Sequence, residues 1–331
     1  MGIFIIAEAG VNHNGDFETA KKLVDAAVMA QADAVKFQTF VPEKVISVFA
    51  KKAEYQKAST GEGESQLDMV RKLWLSFESY GELAKYCAER KILFLSTPFD
   101  IPSLDYLMGL DMPLVKIPSG EITNLPLLLA VAKTKKRVVM STGMSNIDEI
   151  SFARDILLKN GCPNVALLHC NTEYPTPYED ANLLAMSDIR EHFGGVVGYS
   201  DHTLGTAVPI AAAALGAKII EKHFTLDKHM EGPDHSCSLE PNELAEMVSA
   251  IRAVEAALGK KEKSPTRSEI KNIEIARKSI VAARDIKKGE LLDETNLDVK
   301  RPGNGVSPMR WFEVCKTKAK RDFCADELIE L

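Results

Sequence analysis

The sequence predicts an α/β protein, a parallel (β/α)8 TIM barrel followed by a small β-rich module, and three observations carry the prediction. Eight short apolar runs recur over the first two-thirds of the 331-residue chain: "IFIIAEAG", "AVKFQTF", "ILFLSTPF", "PLVKIPSG", "RVVMSTG", "VALLHCN", "GVVGYSDH" and "KIIEKHF". Stretches of helical period separate most of them, and strands covered on both faces by such crossovers read as continuous apolar runs rather than alternating ones. No G-x-G-x-x-G follows an early run, which disfavours the doubly wound open sheet, the competing architecture.

The elements follow in order. The first run is interrupted by Glu8, and after it Asp16 is placed to cap a helix whose buried face is Ala20, Leu23, Val24, Ala27 and Val28. The second run is followed by more than thirty residues, polar and partly helical, before the helix predicted near 77–90. An insertion of that length covers an active site or contacts a partner. The last barrel helix is expected near 240–258, with Leu244, Met247, Val248, Ile251, Val254 and Leu258 inward, and the barrel domain over 1–262. The charged stretch "GKKEKSPTRSEIKN" sustains neither period, so 263–276 is expected to be a linker. Residues 277–331 hold strand-like pieces broken by Lys-Lys-Gly and Pro-Gly-Asn-Gly turns, a module small enough to be marginal by itself.

Composition excludes some functions. A hydrophobic content of 45% and a mean hydropathy of -0.09 describe an ordinary soluble protein. The net charge of -6 and pI near 5.8 give no surface that seeks polyphosphate, so nucleic acid is set aside as a partner. Six cysteines without C-x-x-C spacing, and a start without a basic leader, point to a reduced cytoplasm. No apolar run approaches the roughly 18 residues of a membrane span, and no membrane partner is expected.

In such a barrel, chemistry sits where the strands end. Here all eight runs end in polar residues: Glu8; Lys36 and Gln38; Ser96 and Thr97; Lys116, Ser119 and Glu121; Ser141 and Thr142; His169 and Asn171; Ser200, Asp201 and His202; Glu221, Lys222 and His223. Any one of them could be a strand-end residue bonded to its own loop; eight together would ring one mouth. His202 and His223, ending successive strands, are either a structural pair or two nitrogen ligands of one divalent ion with an otherwise oxygen shell, which suits Mn²⁺ or Mg²⁺. His169 reads as packing or as a residue behind the two ligands. Lys36 and Lys116 lie inside apolar strands, where burial without an anionic partner is costly. They serve an anion bearing carboxylate and phosphate, or one of them forms a Schiff base as in a class I aldolase. The hydroxyl-rich ends "STPF", "PSGE" and "STGMS" make a phosphate cradle near helix starts. Glu8 is an acid or base, or the salt-bridge partner of a barrel lysine.

The motifs "IAEAGVNHNGD", "VKFQTF", "STPFD", "KIPSGEITNLP", "LLHCNTEYPTP", "GYSDHT", "EKHFTLDK" with "GPDH", and "DIKKGELL" with "KRPGNG" resemble, in order along the chain, the sialic acid synthase family. The last two are similar to the antifreeze-like (SAF) domain that ends its members. The resemblance implies a metal-dependent condensation of phosphoenolpyruvate with an open-chain N-acyl hexosamine. C3 attacks the aldehyde, water adds at C2, and phosphate leaves by C–O cleavage. It implies Glu8, His202 and His223 as catalytic residues, with His202 and His223 holding Mn²⁺, or alternatively Mg²⁺ or Co²⁺. Phosphoenolpyruvate falls to Lys36, Thr97, Lys116, Ser119, Ser141, Asn171 and Ser200; Asn171 stands beside Thr172, where some relatives carry asparagine. The sugar falls to Gln38, Glu121, Tyr174, Asp234 and Arg301. Arg301 lies in the small domain and would act in a domain-swapped homodimer in which each small domain caps the partner's barrel. N-acetylmannosamine giving N-acetylneuraminate is the first expected reaction. A diacetamido sugar giving legionaminate is the alternative, followed by a pyruvate aldolase and a non-catalytic sugar- or ice-binding protein.

Overall fold

The computed structural model describes residues 2–61 and 63–331, which divide into two compact units, the first ending at Gly259 and the second beginning at Lys260. In the first unit the eight apolar runs form β1 (Phe4–Gly10), β2 (Ala34–Thr39), β3 (Leu93–Pro98), β4 (Leu114–Ile117), β5 (Arg137–Ser141), β6 (Val165–Cys170), β7 (Val197–Asp201) and β8 (Ile219–His223). The order is β3-β2-β1-β8-β7-β6-β5-β4, every ladder is parallel, and β3 packs beside β4 to close the cylinder. Helices cover the outside. The helix Phe17–Met29 starts where Asp16 accepts the Thr19 amide at 2.8 Å, and buries Ala20, Leu23, Val24 and Ala27.

Side chains on a strand alternate between its faces, and this decides what the barrel encloses. The outward set, including Ile5, Ala7, Val35, Phe37, Val115 and Met140, joins the helices in the main core. The inward set forms a separate cluster of Ile6, Ala34, Leu95, Val139, Leu168 and Ile219, which floors the barrel. Two residues further along each of these six strands the inward side chain is polar or Cys: Glu8, Lys36, Thr97, Ser141, Cys170 and Glu221. Gly198 on β7 is required at the floor, because a Cβ there would sit 2.4 Å from the Ile219 carbonyl oxygen and 2.7 Å from Leu168 Cδ2.

The same alternation sends Asp201 and Lys222 outward, away from the barrel axis. They pair at 2.6 Å with both side chains fully buried, Asp201 also accepting the Thr203 amide and hydroxyl. Removing one member of such a pair leaves an uncompensated buried charge. Asp201→Ala is therefore expected to lower the unfolding free energy by about 3–5 kcal/mol, read from urea denaturation. A loss below about 1 kcal/mol would contradict it, since that is what an exposed pair contributes.

The insertion after β2 contains three short helices, Pro42–Val45, Glu54–Thr60 and Gln66–Lys72. Leu73 closes it onto Val11 and Phe40 in a small apolar cluster, with Val45, Val70 and Phe99 packed alongside.

In the second unit β9 (Ser279–Ala282) pairs antiparallel with β10 (Leu297–Lys300). Single bridges at Val281–Leu328, Ile286–Phe323 and Leu291–Lys318 extend the β structure around a core that includes Ile280, Ile286, Leu292, Val314, Phe323 and Ile329. The expected linker 263–276 is corrected here, because Arg267–Ala276 is a helix. Thr266 and Glu269 form its capping box, and the Glu274 carbonyl accepts the Gly303 amide at 2.6 Å. None of its residues is buried, and its apolar pattern is confined to Ile270, Ile273, Ile275 and Ala276 within a charged stretch. Arg301 belongs to this unit, where its Nε donates to the Ala276 carbonyl at 3.2 Å.

Candidate active site

A cavity of about 290 Å³ opens above the polar layer at the carboxyl ends of the strands. Most of the residues given a role in the sequence line it: Glu8, Lys36, Gln38, Thr97, Lys116, Ser119, Ser141, Tyr174, Ser200, His202, His223 and Asp234. Register explains the convergence. Glu8 lies beside Lys36 on β2 and beside His223 on β8, Gln38 beside Thr97, and Ser200 beside Glu221.

The lowest layer is charged. Lys36 Nζ lies 2.7 Å from Glu8 Oε2 and 3.7 Å from Glu221 Oε2, and donates to Thr97 Oγ1 at 3.0 Å. Lys116 Nζ donates to Ser141 Oγ at 2.7 Å and lies 3.6 Å from Glu221 Oε1, which also accepts from Ser200 at 3.1 Å. Burial pushes the Glu221 carboxyl up, but Lys116 and Lys36 outweigh it and hold it below the ordinary range. Burial wins at Glu8, raising its carboxyl to about 7 against the pull of Lys36, with Glu221 pushing the same way. The lysines diverge too. Burial lowers Lys116, whereas at Lys36 burial is overcome by Glu221 and Glu8 and the ammonium is held more firmly than usual. With Glu8 protonated, the two lysines face the single carboxylate of Glu221, a floor suited to an anion.

Above this floor the rings of His202 and His223 stand edge to face with centroids 5.3 Å apart. Burial pushes His202 down to about 4 and His223 well below its ordinary value, so both rings are neutral at pH 7. His202 Nδ1 bonds the Asn171 carbonyl and Nε2 lies 3.0 Å from the Tyr174 hydroxyl, whose ring stacks on His202 at 4.0 Å. His223 Nδ1 is buried with no hydrogen-bond partner among the described residues, 3.8 Å from Asp234 Oδ2. Asp234 is itself buried, which raises its carboxyl to about 6, and its carbonyl accepts the Ser238 hydroxyl at 2.6 Å.

Two neutral imidazoles at one rim, one with an orphaned buried nitrogen, fit a divalent ion. Among the described residues no group of three or more His, Cys, Asp or Glu side chains has a metal-holding arrangement. An ion here would rest on two nitrogens and take its other ligands from water and substrate.

Two expected residues lie elsewhere. The Asn171 side chain turns into its own loop, Oδ1 accepting the Glu173 amide at 2.7 Å, and Thr172 lines the cavity instead. Glu121 accepts from Asn124 at 2.6 Å beside the next helix start and is absent from the lining. Arg301 stands in the second unit. His169 faces outward, its Nε2 2.9 Å from the Ala181 carbonyl. Glu221, named among the strand ends but given no role there, also lines the cavity, as its position two residues before His223 requires. The sequence reading left out Ile46, Gln56, Gln66, Met69, Val70 and Leu73, through which the insertion lines the cavity.

Residues 23–263 match the NeuB family, and residues 277–330 match the SAF domain. The N,N'-diacetyllegionaminic acid synthase of Campylobacter jejuni is 52% identical over 98% of this chain and 98% of its own length. The protein of the same name from Legionella pneumophila is 45% identical over 93% and 88%. Among solved structures, the N-acetylneuraminic acid synthetase of Leptospira borgpetersenii in complex with citrate matches with a TM-score of 0.72 at 35% identity, covering 83% of this chain and 91% of that one.

Proposed function

The chain belongs to the NeuB family, and from that premise we propose that it is a transferase condensing phosphoenolpyruvate with open-chain 2,4-diacetamido-2,4,6-trideoxymannose and water to give N,N'-diacetyllegionaminate and phosphate. The observation that carries the reaction is the placement of two buried lysines beneath two neutral imidazoles in one cavity. The two similar legionaminic acid synthases favour the diacetamido sugar over N-acetylmannosamine, which the motifs alone placed first.

Phosphoenolpyruvate sits on the cavity floor, its charges met by Lys36 and Lys116 and its oxygens by the hydroxyls of Thr97, Ser119, Ser141 and Ser200. Gln38, Tyr174 and Asp234 position the sugar with its aldehyde toward the imidazoles. His202 and His223 would hold the divalent ion, Mn²⁺ in this reading, which when bound supplies a Lewis acid for the aldehyde oxygen. Glu8, whose carboxyl titrates near neutrality, exchanges the proton. The reaction forms the bond from C3 to the aldehyde carbon, brings the water oxygen to C2, and expels phosphate with its bridging oxygen.

The product identifies the substrate. Incubation with phosphoenolpyruvate, Mn²⁺ and either sugar should yield, by mass spectrometry, the diacetamido nonulosonic acid in preference to N-acetylneuraminate; preference for N-acetylmannosamine would overturn the substrate assignment. The pH profile tests Glu8. Acting as the acid that gives its proton to the aldehyde oxygen, Glu8 is competent below about 7 and loses that proton above it, so kcat/KM should fall as pH rises through that value. Glu8→Gln should lower the rate and flatten this limb; a limb unchanged in the variant would exclude Glu8 as its source.

A further inference from the structure

We propose that the insertion after β2 selects the far end of the sugar, and that Met69 and Val70 discriminate a deoxy, N-acylated terminus from a hydroxylated one. This rests on the reaction proposed above and names what that reading leaves open.

The cavity is divided by polarity. Its floor is made of charges and hydroxyls from the strand ends, which an anion occupies. The rest of its lining includes an apolar wall, Ile46, Met69, Val70 and Leu73 from the insertion with Phe40 and Phe99, of which Phe40, Val70, Leu73 and Phe99 pack together. Two amides interrupt it, Gln56 and Gln66, with Gln66 Nε2 donating to Gln56 Oε1 at 3.3 Å.

The wall is built into the barrel. Leu73 and Val70 pack on the cluster of Val11, Phe40 and Phe99. Ser65 caps the helix that carries Met69 by accepting the Asp68 amide at 3.1 Å. Lys52, itself buried, ties the insertion together through Thr60 at 2.9 Å, the Gly61 carbonyl at 3.0 Å and Glu64 at 3.2 Å.

A hydroxyl pressed against such a wall gives up water without gaining a partner, whereas a methyl or an acetamido methyl gains by leaving water. The amide of a second acetamido group meets a polar side chain at the same wall in Gln66. The wall therefore fits a sugar that has lost a terminal hydroxyl and gained an acyl group.

The test uses the full-length enzyme and two near-isosteric replacements, Val70→Thr and Met69→Gln, which put a polar group on the wall at nearly constant volume. Initial rates of phosphate release are measured with 2,4-diacetamido-2,4,6-trideoxymannose and with N-acetylmannosamine, and circular dichroism melting checks the fold. Wild type should prefer the diacetamido sugar, and each variant should shrink the kcat/KM ratio by about tenfold, the scale of one group in an apolar pocket. KM for phosphoenolpyruvate should stay within about twofold, since the floor is untouched. A ratio unchanged in both folded variants, or an equal loss with both sugars, overturns the assignment. Wild type that turns over both sugars equally overturns it and leaves the condensation standing; release with neither sugar overturns the condensation itself and this inference with it.

Discussion

His223→Ala is expected to lower kcat by about a thousandfold while leaving the barrel folded. The magnitude is that of removing a group acting on charge developed in the transition state. The fold survives because His223 lies beyond the apolar floor and its Nδ1 makes no hydrogen bond among the described residues, so alanine there breaks no such bond at that atom. His202→Ala should match it in kcat and differ in one respect. Its ring joins the Asn171 carbonyl to the Tyr174 hydroxyl, so its loss also releases the loop after β6 and raises KM for the sugar. Binding of Mn²⁺, followed by electron paramagnetic resonance, gives a readout independent of turnover: wild type should bind the ion and both variants should fail to. Near-normal turnover or undiminished Mn²⁺ binding in either variant would show that the imidazoles have another purpose.

Lys116→Met should raise KM for phosphoenolpyruvate by about a hundredfold, the loss of a charge-assisted bond to a buried anion. The same change strands Glu221, which among the described residues keeps only Lys36 at 3.7 Å as a cationic partner at contact distance. It should therefore destabilise the protein by about 3–5 kcal/mol as well. The two effects separate in Lys116→Met with Glu221→Gln, where neutralising the stranded carboxylate restores stability and leaves the phosphoenolpyruvate defect in place. Recovery of both would mean that Lys116 serves the fold alone. A single variant with KM within about threefold of wild type would remove it from the substrate site.

The strands were legible because a parallel strand covered on both faces shows as an unbroken apolar run, and the site was legible because each run ends in residues that an apolar core does not tolerate. Parity carries more than was first read from it. Once His223 faces the cavity, Glu221 must do so, and Lys222 must turn away to meet Asp201. Parity stops with the strand, which is why Asn171 and Glu121, both in loops beyond their strands, could not be placed by counting. The wall of the insertion was hidden for a different reason. Met69, Val70 and Leu73 fall at helical spacing in a short segment, but the surface that Val70 and Leu73 meet is set by Val11, Phe40 and Phe99, distant in sequence, and could not be read from that spacing. In the helix Arg267–Ala276 the capping pair Thr266 and Glu269 was present in the sequence, but Ile270 and Ile275 are exposed and gave no buried stripe to accompany it.

Burial lowers the pKa of Lys116, and a lysine so placed is also what a Schiff-base aldolase requires. The fate of the phosphate separates that chemistry from condensation most directly. With phosphoenolpyruvate, the diacetamido sugar and Mn²⁺, one inorganic phosphate should appear for each nonulosonic acid formed, and borohydride should leave the mass of the protein unchanged. A pyruvyl adduct reduced onto Lys116, with the nonulosonic acid cleaved to pyruvate and no phosphate released in its formation, would contradict the account.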